Sequence, residues 1–236
     1  MKTKKNDLVE VDYTARIKDG PIFDTTSEEE AKKAGLVDEN FKREFRPVKI
    51  LIGKGEVIKG FDKALENKEI GREYEQEISS KDAFGPRDAR LIRTVPLHAF
   101  EKQPVRGMFV NVNNFVAKVI SVTGGRVLVD LNNPLAGKDL VYKFKILRVV
   151  EDDKEKISFL AKKFGLKVEI NEKEEEIKAR VNCSDETLKK IEKDCEGFIK
   201  KKIIFEKISK IEDKKGEKKV EEKQNKNEKS RSEQKE

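Results

Sequence analysis

Histidine occurs once in this chain of 236 residues, cysteine and methionine twice each, and tryptophan not at all. With one imidazole and two thiols, no zinc site of four nitrogen and sulfur ligands can be assembled. Cys183 and Cys195 stand twelve residues apart. They are read as reduced, partly buried thiols, because a disulfide has no support in a chain expected to work in the cytoplasm. Long apolar runs are missing too. Nothing approaches the ~20 apolar residues of a membrane span, and the opening MKTKKNDLVEVDY has bases but no apolar run of signal-peptide length. No membrane partner is expected. The net charge of +7 is a small excess of 53 bases over 46 acids. It is spread along the chain, with no arginine-rich block and no basic patch interleaved with aromatics. Specific nucleic-acid binding is therefore not expected. The lysine-rich C-terminal part allows, at most, a weak association with the ribosome.

Charged residues make up 42% of the chain and hydrophobic residues 36%, a balance that can mean disorder. Position decides. The first 150 residues have clear apolar patterning, and much of the charge lies in the last third. Leu8 to Ile17 is rich in strand formers, and Asp19-Gly20-Pro21 is a turn. Ser27 with Glu30 forms a capping box for a short helix that stops at Gly35. Val48 to Ile52 reads as a strand. Val57, Ile58, Phe61 and Leu65 share one face of a helix of about two turns. Tyr74 to Ile78 is a further strand, and Leu140 to Val150 a long one. Between them, Arg87 to Val129 reads as a compact, mostly β module, with Leu91-Ile92 and Val95 extended and turns at Asn113-Asn114 and Gly124-Gly125. Beyond Asp153 the order expected is α-β-β-α-β. It consists of a helix over 154–164, strands around Leu166 to Ile170 and Ile177 to Val181, a helix from about 185 to 200 opened by Ser184 and Thr187, and a strand over 202–211 with Ile204 and Ile208. From Asp213 onward almost nothing is apolar, which reads as a disordered, solvating tail.

Four segments carry a resemblance. Ile52-Gly53-Lys54-Gly55-Glu56-Val57-Ile58-Lys59-Gly60-Phe61 resembles the FKBP stretch hGxGxVIxGh, where h is apolar. Gly20-Pro21-Ile22-Phe23-Asp24-Thr25-Thr26, after Val11-Asp12-Tyr13-Thr14, resembles the GxxFDxT signature. Ala83-Phe84-Gly85 resembles the AYG loop. Val127 to Leu140, with Asp130-Leu131-Asn132-Asn133-Pro134-Leu135-Ala136-Gly137, resembles the DxNHPLAGxxL return of the form that carries an insert in the flap. All four stand in family order over about residues 6 to 150. The chain thus resembles FKBP-type peptidyl-prolyl cis-trans isomerases, in an archaeal long form similar to the bacterial SlyD type. The resemblance implies an α+β fold: a half-wrapped antiparallel sheet around a short helix, with a β-rich insert-in-flap domain and a separate C-terminal α+β domain. The divisions expected are 1–86 plus 130–152 for the isomerase domain, 87–129 for the insert, 153–212 for the C-terminal domain and 213–236 for the tail.

Rotation about an X-Pro bond is opposed by amide resonance, with a barrier of ~20 kcal/mol, and takes tens of seconds uncatalysed. No bond breaks, so no nucleophile, metal or cofactor is implied. What suits the chemistry is an apolar cup with one or two polar groups at its rim. The resemblance implies Tyr13 and Phe23 as walls and Asp24 as the rim carboxylate. Val57 and Ile58 would line one side, with the Ile58 amide offered to a substrate carbonyl. Phe61 would be the floor, where many relatives have tryptophan, and Tyr142 the far side, where relatives usually have phenylalanine. Phe84 stands in for the AYG tyrosine and lacks its hydroxyl. Val48 stands where eukaryotic relatives often have an aromatic, and Asn133 replaces the usual histidine. Leu91, Ile92, Leu97, Phe100, Met108, Phe109 and Val110 are either the core of the insert or, as the resemblance implies, a groove for unfolded chains. The partners expected are unfolded or nascent polypeptides with X-Pro bonds.

Overall fold

The structure of the chain is a computed structural model describing residues 1–37, 44–165, 168–172, 176–181, 183–195, 198–199 and 202–207. It divides into two compact units, Met1–Val150 and Glu151–Glu236. Among the described residues no helix is long and apolar enough to cross a membrane.

The first unit is organised by β1 (Leu8–Ile17). Val9, Val11 and Ala15 are fully buried, and Tyr13 and Ile17 pack on the same core. The residues between them, Asp12, Thr14 and Arg16, alternate to the other face. Ten residues are enough to serve three neighbours. The first half of β1 pairs with β3 (Val48–Leu51) and the second half with β2 (Ile22–Thr25), while β9 (Leu140–Val149) follows the opposite edge throughout. β4 (Glu73–Ile78) pairs with the far side of β9, so the order is β2-β1-β9-β4 with β3 beside β1. All these pairings are antiparallel.

The inner face of this sheet is covered by a short helix, α2 (Lys59–Ala64), whose Phe61, with Leu65 just past its end, is buried against Val11, Tyr142, Phe144 and Ile146. The helix is shorter than the spacing of its apolar residues suggests. Val57 lies ahead of it and Ile58 is its N-cap, with extended φ and ψ of −55° and 143°. The outer face is a lattice of ion pairs: Arg16 to Glu75 at 3.3 Å, Lys18 to Glu77 at 2.6 Å and Lys143 to Glu73 at 3.2 Å. Each is exposed, so solvent and salt screening leave it little weight in stability. Their aliphatic stems nonetheless shelter Val141, which faces outward yet is only 6% exposed.

Helix α1 (Glu28–Lys33) forms with half of its capping box. The Glu30 amide donates to Ser27 Oγ at 3.4 Å, but the Ser27 amide donates to Thr25 Oγ1 at 3.1 Å instead of to Glu30. Thr25 is nearer and already fixed by the sheet. Gly35 ends the turn with φ of +67°.

Between β4 and β9 the chain builds a second sheet. It contains β5 (Ile92–Pro96), β6 (Phe109–Val112), β7 (Phe115–Thr123) and β8 (Arg126–Asp130), in the antiparallel order β5-β8-β7-β6. Ala117, Val119, Val127 and Val129 are its buried centre. Asn113 and Asn114 turn the β6–β7 hairpin with φ of 49° and 68°, the pair of left-handed residues that a tight hairpin requires. Leu91, expected extended, instead closes a 3-10 turn over Ala89–Leu91. The neck of this segment is stitched by Asn132. Its Oδ1 accepts from the Asp88 amide at 2.8 Å, and its Nδ2 donates to the Asp88 carbonyl at 2.9 Å. Arg87 pairs with Asp130 beside it.

The second unit contains α3 (Asp153–Lys163), β10 (Val168–Glu172), β11 (Glu176–Val181), α4 (Asp185–Cys195) and β12 (Lys202–Lys207). β10 runs antiparallel and β12 parallel to β11. Ile157, Ile177 and Ala179 form its centre. The Thr187 amide donates to Ser184 Oγ at 3.3 Å at the start of α4. The described residues of that helix run to Cys195, and Phe198 already lies in a turn, short of the expected end near 200. Phe198 turns inward, 5% exposed, and its carbonyl accepts from Nζ of buried Lys156 at 2.9 Å. A buried ammonium needs such a partner, and Asp153 supplies a second at 3.5 Å. Cys195 is buried and Cys183 partly exposed, and the two are not joined in a disulfide. Leu166, Ile208 and the tail from Asp213 lie outside the described residues.

Gly60 gives a test of the helix–sheet contact. Alanine in a helix interior gains about 1 kcal/mol over glycine, but a Cβ here would stand 2.2 Å from Cγ2 of Ile78. Overpacking of this kind costs about 1–3 kcal/mol, so Gly60→Ala is expected to lower the urea midpoint of the chain. An unchanged or raised midpoint would show that α2 can lift off β4 freely.

Candidate active site

Aromatic rings from four elements meet on the inner face of the first sheet. The register of β1 on β9 sets Ala15 opposite Tyr142 and Tyr13 opposite Phe144, so Tyr13 and Tyr142 are diagonal neighbours, with ring centroids 5.8 Å apart. Phe61, from α2, stacks on Tyr142 at 4.4 Å and lies 5.6 Å from Tyr13. Phe23, from β2, meets Tyr142 edge-on at 6.3 Å. These are the offset and edge geometries that aromatic quadrupoles favour.

One carboxylate stands beside the rings. The Tyr13 hydroxyl donates to Asp24 Oδ2 at 2.6 Å, the short length of a charge-assisted bond. The pair is held from behind. The Tyr13 amide donates to Thr26 Oγ1 at 3.0 Å, and the Thr26 hydroxyl donates to Asp12 at 3.0 Å. Thr25 and Thr26 are both buried. Two hydroxyl side chains thus tie the end of β2, which carries Phe23 and Asp24, to β1. Burial, and secondarily the charge of Asp24, push the Tyr142 phenol up to about 12.

Val57 and Ile58 are partly buried and pack on this cluster, as do Val48 and Ala83. Phe84 is 37% exposed; its neighbour Ala83 makes the packing contact. Sequence reasoning missed Leu135, which also packs on the cluster. The signal lay in Asn133-Pro134-Leu135. Asn133 Oδ1 accepts from the Leu135 amide at 2.8 Å, an Asx turn that folds the leucine back toward the sheet. A cavity of about 640 Å³ opens mainly on the other face, among Asp12, Thr14, Arg16, Glu73, Glu75 and Lys143. Its mixed charges suit water better than an apolar ring, so the aromatic cluster is the stronger candidate.

The apolar residues of the 87–129 segment separate into two groups. Leu97, Phe100 and Val110 pack on the second sheet's own centre. Ile92 is partly buried, while Leu91, Met108 and Phe109 are exposed. Val105, Phe115 and Val116, which the sequence reading passed over, are more exposed still at 63%, 68% and 62%. Phe115 and Val116 directly follow the Asn113-Asn114 turn, and an apolar pair at a hairpin tip is the signal that could have found them.

Residues 1–96 match the family model for FKBP-type peptidyl-prolyl cis-trans isomerase, and residues 93–135 match that for the FKBP26 IF domain. A short-type peptidyl-prolyl cis-trans isomerase of Methanocaldococcus jannaschii is 37% identical over 146 residues, which cover 61% of this chain and 91% of that one. The chain belongs to the FKBP-type peptidyl-prolyl cis-trans isomerase family. Two further FKBP-type relatives named SlyD are similar to it. That of Helicobacter pylori strain J99 is 30% identical, over 54% of this chain and 71% of its own. That of Escherichia coli K12 is 25% identical, over 67% and 76%. The antiparallel sheet with few helices in the first unit is the FKBP fold.

The buried phenol of this FKBP site gives a spectroscopic test. A raised pKa means that the stability tied to neutral Tyr142 is complete below about 10 and is lost as pH rises through about 12. Phenolate absorbance is expected to show one of the three tyrosines titrating late, and Asp24→Asn should bring that step down. Three coincident steps in the folded protein would contradict the burial.

Proposed function

We propose that the protein accelerates cis/trans rotation about X-Pro bonds in unfolded or nascent polypeptides, with 1–86 plus 130–152 as the isomerase domain. We further propose that the insert-in-flap segment, 87–129, holds those chains near the pocket. The observation that most supports the first part is the convergence of the Tyr13, Phe23, Phe61 and Tyr142 rings, with the carboxylate of Asp24 bound to the Tyr13 hydroxyl beside them.

The mechanism follows from what opposes rotation. The planar amide is held by resonance and is more polar than the twisted one. A dry apolar cup withdraws water from the planar form and so favours the twisted form. Phe61 as floor and the flanking rings receive the proline ring face-on. Val57 and Ile58 form the side wall, and the Ile58 amide meets a substrate carbonyl. Tyr142 stays neutral far above working pH, so the cup remains uncharged. Asp24 sits at the rim, oriented by Tyr13, where it meets the turning carbonyl or its hydrogen-bond network. Phe84 brings no hydroxyl, and that one feature favours a second reading: a holdase whose pocket turns over weakly or not at all. A proline-limited refolding assay at substoichiometric protein decides between them.

The chaperone part rests on Phe109, Phe115 and Val116, which are exposed around one hairpin. Apolar side chains gathered in this way mark a binding surface. Capture there raises the local concentration of proline bonds at the pocket. The proposed place of work is the cytoplasm. A weak tether to the ribosome through the lysine-rich C-terminal part is tested by salt-dependent co-sedimentation.

Asp24→Ala and Phe61→Ala are expected to lower activity in different ways. Asp24→Ala should reduce turnover with little loss of stability. Phe61→Ala should also destabilise the domain by about 3–5 kcal/mol. Equal losses in denaturant titrations would argue against a rim position for Asp24.

Phe115→Ser with Val116→Ser tests the insert. Turnover of a short prolyl peptide should hold, while activity on a refolding protein and suppression of aggregation should fall together. Proportional loss on both substrates would place the hairpin in the catalytic wall.

A further inference from the structure

The residue after Phe61 plays no part in the reading above. Asp62 is only 8% exposed. Its carboxylate turns back from α2 to the loop before it. Oδ1 accepts from the Gly53 amide at 2.8 Å and Oδ2 from the Gly55 amide at 3.1 Å. Both glycines are left-handed, with φ of +82° and +68°, a conformation that other residues reach only with strain. The two bonds curl residues 53–58 back over the first turn of the helix.

A buried carboxylate costs several kcal/mol unless its oxygens are hydrogen-bonded. Two charge-assisted bonds from amides offset that cost, and they tie the shape of the loop to the position of the charge. Moving the loop would strand the carboxylate. A second strut runs the other way, with Glu56 Oε2 accepting from the Leu51 amide at 2.9 Å. Immediately beyond these anchors come Val57 and Ile58, and the chain then enters α2 and reaches Phe61. Side wall and floor of the cup are therefore referenced to one another through a single side chain.

We infer that Asp62 is a positioning residue: its carboxylate clamp on Gly53 and Gly55 sets the Val57–Ile58 wall against Phe61 and so sets how tightly a prolyl segment is held. The inference rests on the isomerase reading of the cup. A wall that grips substrate and twisted state alike acts through binding, so its displacement raises KM and spares kcat. A residue that merely stabilises the domain does the opposite, because partial unfolding removes enzyme, lowering apparent kcat at constant KM.

The test is steady-state isomerisation of a short prolyl peptide by the full chain, at a temperature where circular dichroism shows wild type and variant equally folded. Asp62→Asn has the same size but turns an amino group toward one glycine amide. KM is expected to rise about tenfold, as loss of uniform binding does, with kcat little changed. Asp62→Glu keeps the charge and moves it by one methylene. It carries the same test should Asp62→Asn fail to fold, and it too should raise KM. A KM equal to that of wild type in the folded variant, whether or not kcat falls, overturns the inference while leaving the cup intact. An inactive wild type would instead sink the isomerase reading itself.

Discussion

The pairing of β1 with β9 is the contact on which the first unit depends. It is the longest pairing of the first unit, running from Val9 opposite Val149 to Ile17 opposite Leu140. It places Tyr13 beside Tyr142 on one face while Arg16 and Lys143 go to the other. Strand side chains alternate with a period of two, so a slip of β1 by one residue would carry Tyr13 to the solvent face and bring Arg16 inward. The buried apolar face makes that slip prohibitive. The same pairing closes the fold in space, because β9 returns to the sheet only after the whole 87–129 segment has been completed elsewhere.

That segment satisfies two demands with few residues. Ala117, Val119, Val127 and Val129, helped by Leu97, Phe100 and Val110, give its sheet a centre. Small folds need most of their apolar side chains for this purpose. Apolar residues that stay exposed include Phe109 on the edge strand β6 and Phe115 and Val116 at the start of β7, with Leu91, Val105 and Met108 elsewhere in the segment. Asn132 bonds across the neck to Asp88, at the cap of the 3-10 turn before β5. The chain can therefore leave and re-enter the parent sheet at one place without opening it.

The polar groups near the cup work mostly by placement. Thr25 and Thr26 orient the end of β2, Tyr13 orients Asp24, and Asn133 folds Leu135 inward. None of this requires a strong acid or base. The reaction turns a bond without breaking one, and shape together with dryness is what the chain has to supply.

Much of this could be read in the sequence, and for local reasons. Alternation over Leu8 to Ile17 specifies β1 to the residue, because period-two burial is written directly in side-chain polarity. The glycines before Val57-Ile58 and the ordered motifs pick out Tyr13, Phe23, Asp24, Phe61 and Tyr142, and their rings do converge. Tertiary structure alone decided the rest. Half of the capping box was lost because Thr25, fixed by the sheet, offered the Ser27 amide a nearer acceptor. Buried Lys156 found its acceptor in the Phe198 carbonyl, forty-two residues away. Leu135 reaches its cluster and Arg16 reaches Glu75 across long stretches of chain, and whether Phe115 faces solvent depends on what packs against its sheet. Local patterns report the periodicity of one element, whereas burial and partnership are set by which elements meet. For this chain that was decided by the register of β1 on β9 and by the return of the chain through Asn132.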